Sequence, residues 1–323
     1  MSQIDVLMLV EPGSLLLDLA GPAEAFRLAN QALQRRGEPP AFRLRFIAAQ
    51  PEAESSVGLQ LAGLEPLPDT LPASAWLMLV GCRHRRADEP EPDSAQIAAA
   101  LRTERWLAAQ GQVLLASGGR LLSICSGALL AARAGLMRGR RCTTHHELLD
   151  ELRHAAPETE VVDNRVFVVD GPVASSAGIT AGIDLCLHLI AQHCGDAIGA
   201  AVAQTMVVYL RRSPQDPELS PMLAHRNHLH PALHRAQDAI CADPRAEWSL
   251  DRLAALAHVT PRHLSRLFAS HAGTTALHYL QAIRLERARK VLATGATLGQ
   301  AAELAGFSSE QQLRRARRAS QAS

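Results

Sequence analysis

Four short and mostly apolar runs recur through the first 125 residues, and longer segments with helical periodicity lie between them. The runs are Ile4–Val10, Arg43–Ala48, Ala75–Gly81 and Arg120–Ile124, and the helical segments include Pro22–Arg35 and Ser94–Gln110. Apolar runs without alternation are typical of strands that are buried on both faces, as in parallel sheets covered by helices. The first 200 residues are therefore predicted to form an α/β sandwich with a mostly parallel sheet.

The last 90 residues carry signals for helix starts and stops. Ser249 and Thr260 precede two short helices separated by a three-residue turn, and Thr297 and Ser309 precede two more. Side-chain oxygens of such residues accept a backbone N–H at a helix start, and a turn of this length is typical of a helix-turn-helix motif. One long helix, Thr275–Ala293, lies between the pairs. The pattern predicts an all-α region with two helix-turn-helix units.

The distribution of charge divides the chain at a similar place. Residues 236–323 hold 12 basic and 7 acidic side chains, a net charge of +5, although the whole chain of 323 residues has a net charge of +1. A basic segment appended to an acidic domain is typical of a nucleic-acid-binding module. Residues 213–231 contain four prolines and no clear period. We therefore predict a first domain over residues 1–212, a linker over 213–231 and a DNA-binding domain over 232–323.

The second helix of a helix-turn-helix unit lies in the major groove of DNA, and its outward side chains meet base edges. The positions that packing does not need are Arg262, His263, Ser265 and Arg266 in the first unit, and Glu310, Gln311, Arg314, Arg315 and Arg318 in the second, with Arg317 beside them. Arginine and glutamine match the edges of guanine and adenine. Double-stranded DNA is thus the predicted partner, and the alternative is a pair of solvated charged faces.

Residues 232–323 resemble the AraC/XylS-type DNA-binding domain of bacterial transcription regulators. The matching segments are WSLDRLAALAHVTPRHLSRLF, YLQAIRLERARKVLATG and AAELAGFSSEQQLRRARR. The resemblance implies that the outward residues named above contact bases or backbone in two successive major grooves. Arg317 departs from the family pattern, because it stands where the family usually buries an aromatic residue, and we therefore expect the second unit to pack less tightly.

Cys125 directly follows the predicted strand Arg120–Ile124 and precedes an Ala/Leu-rich helix, with the small residues Ser123 and Gly127 on either side of it. A strand-to-helix elbow of this kind holds a nucleophile on a strained turn between small neighbours. The positive end of the following helix would stabilise a thiolate. The plainer interpretation is a small buried hydrophobic side chain. The elbow favours a special position for Cys125 without requiring catalysis.

Residues 4–210 resemble the PfpI-like branch of the class I glutamine amidotransferase superfamily, which implies a flavodoxin-like sandwich. The matching segments are LLLDLAGPAEAF, SICSGALLAARAGLMRGRRCTTHH and VASSAGITAGIDLCLHLI. The resemblance implies that Asp18 faces Cys125 and that His145 belongs to the same site. His146 stands where the family usually has a tryptophan. The implied ligand-binding residues are Asp18, Cys125, Ser126, Gly127 and His145, and the candidates for a catalytic role are Cys125, Asp18 and His145.

The two modules in this order resemble the amidotransferase-like AraC-type activators, which respond to small nitrogen-containing metabolites such as arginine, choline, carnitine or glycine betaine. The resemblance implies a homodimeric transcription regulator, not an enzyme, whose first domain senses a small-molecule effector. Two alternatives stay open. One is a Cys125-dependent hydratase or amidase-like enzyme with an appended DNA-binding domain, and the other is a structural dimerisation platform.

The remaining patterns exclude several classes of protein. The six cysteines include no Cys-x-x-Cys pair, which argues against a zinc site and a disulfide framework. His225, His228, His230 and His234 have a metal-like spacing, but they lie in the proline-rich linker, and we interpret them as a solvated hinge. We expect no metal and no cofactor. No apolar run reaches about 18 residues, so no membrane span is predicted and the expected location is the cytoplasm.

Overall fold

The structure is a computed structural model that describes residues 3–83, 91, 93–208, 212, 214, 225, 228 and 230–321, with side chains described up to residue 319. It divides into two compact units, Met1–Glu218 and Leu219–Ser323. Most of the predicted linker lies outside the described residues, and the domain boundaries at 212 and 232 therefore stay predictions.

The first unit is an α/β sandwich. Its strands are β1 (Ile4–Leu9), β2 (Phe42–Ala48), β3 (Glu52–Glu54), β4 (Gln60–Ala62), β5 (Glu65–Pro66), β6 (Trp76–Leu79), β7 (Arg120–Ile124), β8 (Arg141–Cys142), β9 (Glu160–Val161), β10 (Phe167–Asp170) and β11 (Val173–Ser176). Its helices are α1 (Leu16–Arg35), α2 (Ser94–Ala116), α3 (Gly127–Arg133), α4 (Leu149–Ala155), α5 (Thr180–Cys194) and α6 (Asp196–Thr205). The main sheet has the order β10-β11-β7-β6-β1-β2-β5, and its pairings are parallel except that of β10 with β11. The predicted mostly parallel sandwich is confirmed.

Side chains of the interior strand β1 alternate between two cores, one on each face of the sheet. Val6 and Met8 pack into the core that contains Phe26 of α1, whereas Leu7 and Leu9 pack with side chains of α2 and α3. All four strand residues are at most 1% exposed. Because both faces of the sheet are covered, the strand reads as a continuous apolar run.

Helix α1 begins at Leu16, and the predicted start at Pro22 is wrong. Proline is favoured in the first turn of a helix, because it lacks the N–H that a helix interior uses. In the structure Pro22 lies inside the helix, where α1 approaches α5 so closely that a Cβ on Gly21 would lie 2.8 Å from Cγ1 of Ile183. The earlier start places Asp18 in the first turn of α1 and not in the loop after β1.

The second unit is all-α, as predicted. Its helices are α7 (Pro231–Ala242), α8 (Leu250–Ala257), α9 (Pro261–His271), α10 (Ala276–Ala293), α11 (Leu298–Ala305) and α12 (Glu310–Gln321). The side chains of Ser249, Thr260, Thr275 and Thr297 each accept the backbone N–H three residues further on, which is why α8 to α11 begin where they do. In the described part of the chain, no helix is both long and apolar enough to span a membrane.

The two predicted helix pairs, α8 with α9 and α11 with α12, pack on different halves of α10. The first core includes Phe268 and Tyr279, and the second includes Leu285 and Leu313. Arg317 is exposed, and α12 is anchored by the fully buried Leu313. DNA reading by both pairs stays a prediction.

Candidate functional site

Cys125 lies on the sharp turn between β7 and α3. Its φ angle is 53°, in the left-handed region that residues with a Cβ avoid, and the residue is 5% exposed. Its backbone N–H donates to the carbonyl oxygen of Ser176 (3.0 Å), and its own carbonyl accepts from Oγ1 of Thr144 (2.8 Å). Such strain costs about 1–3 kcal/mol and persists where the surrounding structure holds it. The predicted strained elbow is therefore present.

Two glycines allow the chain to close around Cys125. A Cβ on Gly178 would lie 2.3 Å from the Cβ of Cys125. A Cβ on Gly81 would lie 2.8 Å from the same atom and 2.4 Å from Oδ2 of Asp18. Each of these separations is too short for a real side chain, so both positions require glycine. The structure brings Asp18 and Cys125 together against Gly81, as the resemblance implied.

Asp18 is fully buried, and its two carboxylate oxygens differ in their surroundings. Oδ1 accepts the backbone N–H of Ile179 at 2.6 Å. Oδ2 has no hydrogen-bond partner among the described residues. Burial raises the pKa of Asp18 from 3.8 to about 6, and the hydrogen bond from Ile179 opposes this rise. Oδ2 is therefore a buried acceptor whose hydrogen-bonding capacity the described protein does not use.

Ser126 uses its hydroxyl within the protein. Its Oγ accepts the backbone N–H of Cys82 at 2.7 Å and donates to the carbonyl oxygen of the same residue at 2.8 Å. Burial raises the pKa of the Cys82 thiol to about 12. Ser126 therefore joins the elbow to the loop after β6, and Cys82 stays uncharged at neutral pH.

His145 lies close to the elbow in the chain, but its described contacts are with other residues. Its Nδ1 is 3.6 Å from a carboxylate oxygen of Glu147, and its ring centroid is 4.2 Å from that of His146. These contacts include neither Cys125 nor Asp18. The neighbouring residue Thr144 contacts Cys125, because its Oγ1 donates to the carbonyl oxygen of Cys125. A role for His145 in the site stays a prediction.

A cavity of about 580 Å³ opens beside the carboxyl ends of β1 and β2, and neither Asp18 nor Cys125 lines it. Glu11 in its wall accepts a hydrogen bond from Oγ1 of Thr103 at 2.8 Å. Burial raises the pKa of Glu11 to about 7. The sequence reasoning missed this residue, although it directly follows the first strand, at the sheet edge where α/β proteins bind ligands.

The predicted DNA-contacting residues of α9 lie on the side of the helix away from the core. Leu264 and Phe268 are buried, whereas Arg262, Ser265 and Arg266 are exposed. His263 differs, because it is half-buried and its Nδ1 lies 3.0 Å from Nη2 of Arg266. His263 therefore orients the guanidinium of Arg266.

On α12 the predicted contact residues are all exposed, while Leu313 is buried in the core. They are Glu310, Gln311, Arg314, Arg315 and Arg318. Nη2 of Arg314 lies 3.6 Å from a carboxylate oxygen of Glu310, one turn earlier.

The histidines interpreted as a solvated hinge are partly buried and hydrogen-bonded within the second unit, so that interpretation is wrong. Nδ1 of His225 lies 2.8 Å from the carbonyl oxygen of Ala272, and Nε2 of His234 lies 2.7 Å from that of His228. The fully buried Gln237 donates to the carbonyl oxygen of His225 at 2.7 Å. The sequence could not reveal the contacts of His225, because its partners Gln237 and Ala272 lie 12 and 47 residues away in the chain. Within the described residues, no group of three or more His, Cys, Asp or Glu is arranged to hold a metal ion.

Two family models match the chain. The model described as a helix-turn-helix domain matches residues 253–320, from α8 to α12. The model of the DJ-1/PfpI family matches residues 98–192, which include the elbow and most of α5. The matches confirm both resemblances that the sequence motifs indicated.

Relatives of two kinds are similar to the chain. The HTH-type transcriptional regulator GbdR of Pseudomonas aeruginosa is 31% identical over 191 residues, which are 59% of this chain and 52% of that protein. The isonitrile hydratase of Pseudomonas putida is 40% identical over 98 residues, 29% of this chain and 39% of that protein. The chain thus spans about half the length of the regulator it matches.

A ThiJ/PfpI family protein from Pseudomonas syringae has a similar solved structure, with a TM-score of 0.50 and 26% identity over 66% of this chain and 78% of that one. This likeness agrees with the α/β sandwich of the first unit.

Proposed function

We propose that the chain is a transcription regulator that binds specific DNA sequences, because residues 253–320 match the helix-turn-helix domain model and residues 98–192 match the DJ-1/PfpI model. The similarity to GbdR, which is named as an HTH-type transcriptional regulator, supports the proposal. On this proposal the protein acts where the DNA is, in the cytoplasm.

The exposed face of α9 carries the proposal. Arg262 and Arg266 lie one helical turn apart on this face, and Ser265 lies between them. The helix contains no acidic residue, so no side chain within it repels phosphate. Thr260 fixes the start of the helix and the core fixes its rotation. Two guanidinium groups on a rigid helix suit bidentate hydrogen bonds to guanine.

The four arginines of α12 extend the proposed contact. They are Arg314, Arg315, Arg317 and Arg318. Two recognition helices joined by one helix can reach the same side of the duplex when their sites lie one turn apart, about 34 Å or 10 bp. We propose that α9 and α12 enter successive major grooves, with Arg318 over phosphate.

The site formed by Asp18 and Cys125 is the proposed sensor. A buried acceptor without a partner is satisfied by a ligand that donates an N–H or O–H, which supports a small nitrogen-containing effector bound near Oδ2 of Asp18. Ser126, Gly127 and His145 are proposed to complete this site around Asp18 and Cys125. We further propose that the protein is a homodimer, and light scattering of the purified chain tests this.

Selection from a random DNA library by the full chain tests DNA binding. Arg266→Ala should weaken binding to the selected sequence by about 1–3 kcal/mol and relax the preference at one base pair. Arg289→Ala is the matched control, because it removes the same charge from an exposed position on α10. Equal losses for both variants, or no enriched sequence, would contradict sequence-specific reading by α9.

A Cys125-dependent enzyme is the second candidate. The proximity of Asp18 and Cys125 and the similarity to isonitrile hydratase favour it. Incubation of the full chain with a simple isocyanide tests it by product formation. Turnover that Cys125→Ala abolishes would establish the enzyme, and a rate equal to that of buffer alone would favour the sensor.

A further inference from the structure

Arg212, near the end of the first unit, is tied to α5 by three hydrogen bonds. Its backbone N–H donates to Oδ1 of Asp184 at 3.1 Å, and its Nε donates to Oδ2 of the same carboxylate at 2.8 Å. Its Nη2 donates to Oγ1 of Thr180 at 2.8 Å. Asp184 is 4% exposed, and the bonds from Arg212 are among the contacts that stabilise its charge. Because the backbone N–H takes part, the bonds hold the chain itself at Arg212 as well as the side chain.

The residue just before α5 is tied to the proposed sensor site. Ile179 donates its backbone N–H to Asp18, and its φ and ψ angles are 52° and −117°. A β-branched residue with positive φ is strained. No side chain caps this end of α5. The hydrogen bond to Asp18 is therefore one of the contacts that hold the turn in its strained form.

The first turns of α5 are packed closely on both the α1 side and the elbow side. A Cβ on Gly182 would lie 2.9 Å from Cγ2 of Ile124, the residue before Cys125. A Cβ on Gly21 of α1 would lie 2.8 Å from Cγ1 of Ile183. With so little space on either side, the start of α5 is held as one rigid unit. That start carries Thr180 and Asp184, the two partners of Arg212.

We propose that the Asp18–Ile179 hydrogen bond and the Arg212–Asp184 ion pair are two ends of one switch. A ligand that donates to Oδ2 of Asp18 draws the carboxylate away from Ile179, the strained turn relaxes, and the grip of α5 on Arg212 weakens. Because the segment after Arg212 leads to the second unit, the switch links the sensor to DNA binding. The inference deepens the proposed function by stating how the same site is regulated.

Cleavage by glutamyl endopeptidase after Glu218 tests the link in the full chain, with the cut identified by mass spectrometry. Arg212→Gln should raise the cleavage rate about fivefold. This is the change in the equilibrium of local opening that is expected when the net contribution of roughly one hydrogen bond is lost. Asp18→Ala should raise it about threefold through loss of the Ile179 bond. Thr180→Val, a milder change that removes one partner of Arg212, should also raise it.

The double variant decides between linked and separate effects. If the two ends belong to one switch, Asp18→Ala adds nothing to Arg212→Gln, and the double variant is cut about fivefold faster than wild type. Independent effects would multiply to about fifteenfold and overturn the proposal. An unchanged rate in Asp18→Ala or in Thr180→Val would also overturn it.

Two controls separate the switch from general destabilisation and from charge. Leu152→Ala weakens the core on the opposite face of the sheet and should leave the rate within about twofold of wild type. Asp150→Asn removes a carboxylate charge at an exposed position outside the proposed site and should do the same. A large rise in either control refutes the proposed route. Because the assay uses neither effector nor DNA, its failure is distinct from a failure of the chain to bind DNA.

Discussion

The buried carboxyl of Asp18 makes the stability of the first unit depend on pH in a way that Asp18→Asn should remove. Burial raises the pKa of Asp18 from 3.8 to about 6. One pKa unit corresponds to about 1.4 kcal/mol, so ionisation of Asp18 costs the folded unit about 3 kcal/mol at neutral pH. A raised pKa gives stability that is fully present below about pH 4 and is lost as the pH rises through 6. Between pH 5 and pH 7.5 the loss is about 1.4 kcal/mol.

Urea unfolding of the first unit at these two pH values measures the effect. Trp76 and Trp106 lie in the first unit and Trp248 in the second, so a Trp248→Phe background makes tryptophan fluorescence specific for the first unit. Asparagine keeps an acceptor for Ile179 and does not titrate. The difference in free energy of unfolding between Asp18→Asn and its parent should therefore be about 1.4 kcal/mol more favourable to the variant at pH 7.5 than at pH 5.

Comparing the free energies of unfolding at pH 5 and pH 7.5 cancels any effect of the substitution on packing, because that effect is the same at both pH values. Glu11, whose pKa is also raised, titrates in the variant and the parent alike and cancels. Asp150→Asn changes an exposed carboxyl and should follow the wild-type pH dependence. A difference below about 0.5 kcal/mol between the two pH values would refute the argument that burial holds the pKa of Asp18 near 6.

Two further predictions concern packing. Gly127→Ala places a Cβ 2.3 Å from the carbonyl oxygen of Leu79, so it should destabilise the first unit by about 3 kcal/mol or more in the same urea assay. Gly139→Ala, with a φ of 66° and open space, should cost only about 1 kcal/mol, and equal losses would contradict the steric argument. Gln237→Ala leaves the carbonyl oxygen of His225 without its donor and should cost the second unit about 2 kcal/mol, seen as faster amide hydrogen exchange in α7. An unchanged rate of amide hydrogen exchange in α7 would show that the side-chain amide of Gln237 does not stabilise the contact between His225 and this helix.

The features that could be predicted from the sequence depend on neighbours along the chain. The apolar strands could be predicted because both faces of the sheet are buried. Cys125 stands out because it lies between a strand and a helix, with small residues on both sides. The helix starts at Ser249, Thr260 and Thr297 could be read because a capping side chain bonds to an N–H only three residues away.

The features that could not be predicted depend on residues far apart in the chain. Asp18 and Ile179 are 161 residues apart, and local preferences disfavour a positive φ for isoleucine. The bonds of Arg212 to α5 likewise join segments that no local pattern connects. Local rules also placed the start of α1 at Pro22, because they could not show that the preceding turn is held by packing against α5.

The unequal surroundings of the two oxygens of Asp18 suit a sensor better than an enzyme. A general base must reach the proton of its nucleophile and return to the same state in every cycle. Oδ1 of Asp18 instead supports a strained turn, and the described contacts of His145 lead away from Cys125. On the proposed switch, a ligand on Oδ2 alters the turn before α5 each time it binds, and this change reaches Arg212. In an enzyme, the same movement would disturb the carboxyl during every catalytic cycle. On the proposed function, this coupling is the reason to keep a buried and only half-satisfied carboxyl beside Cys125.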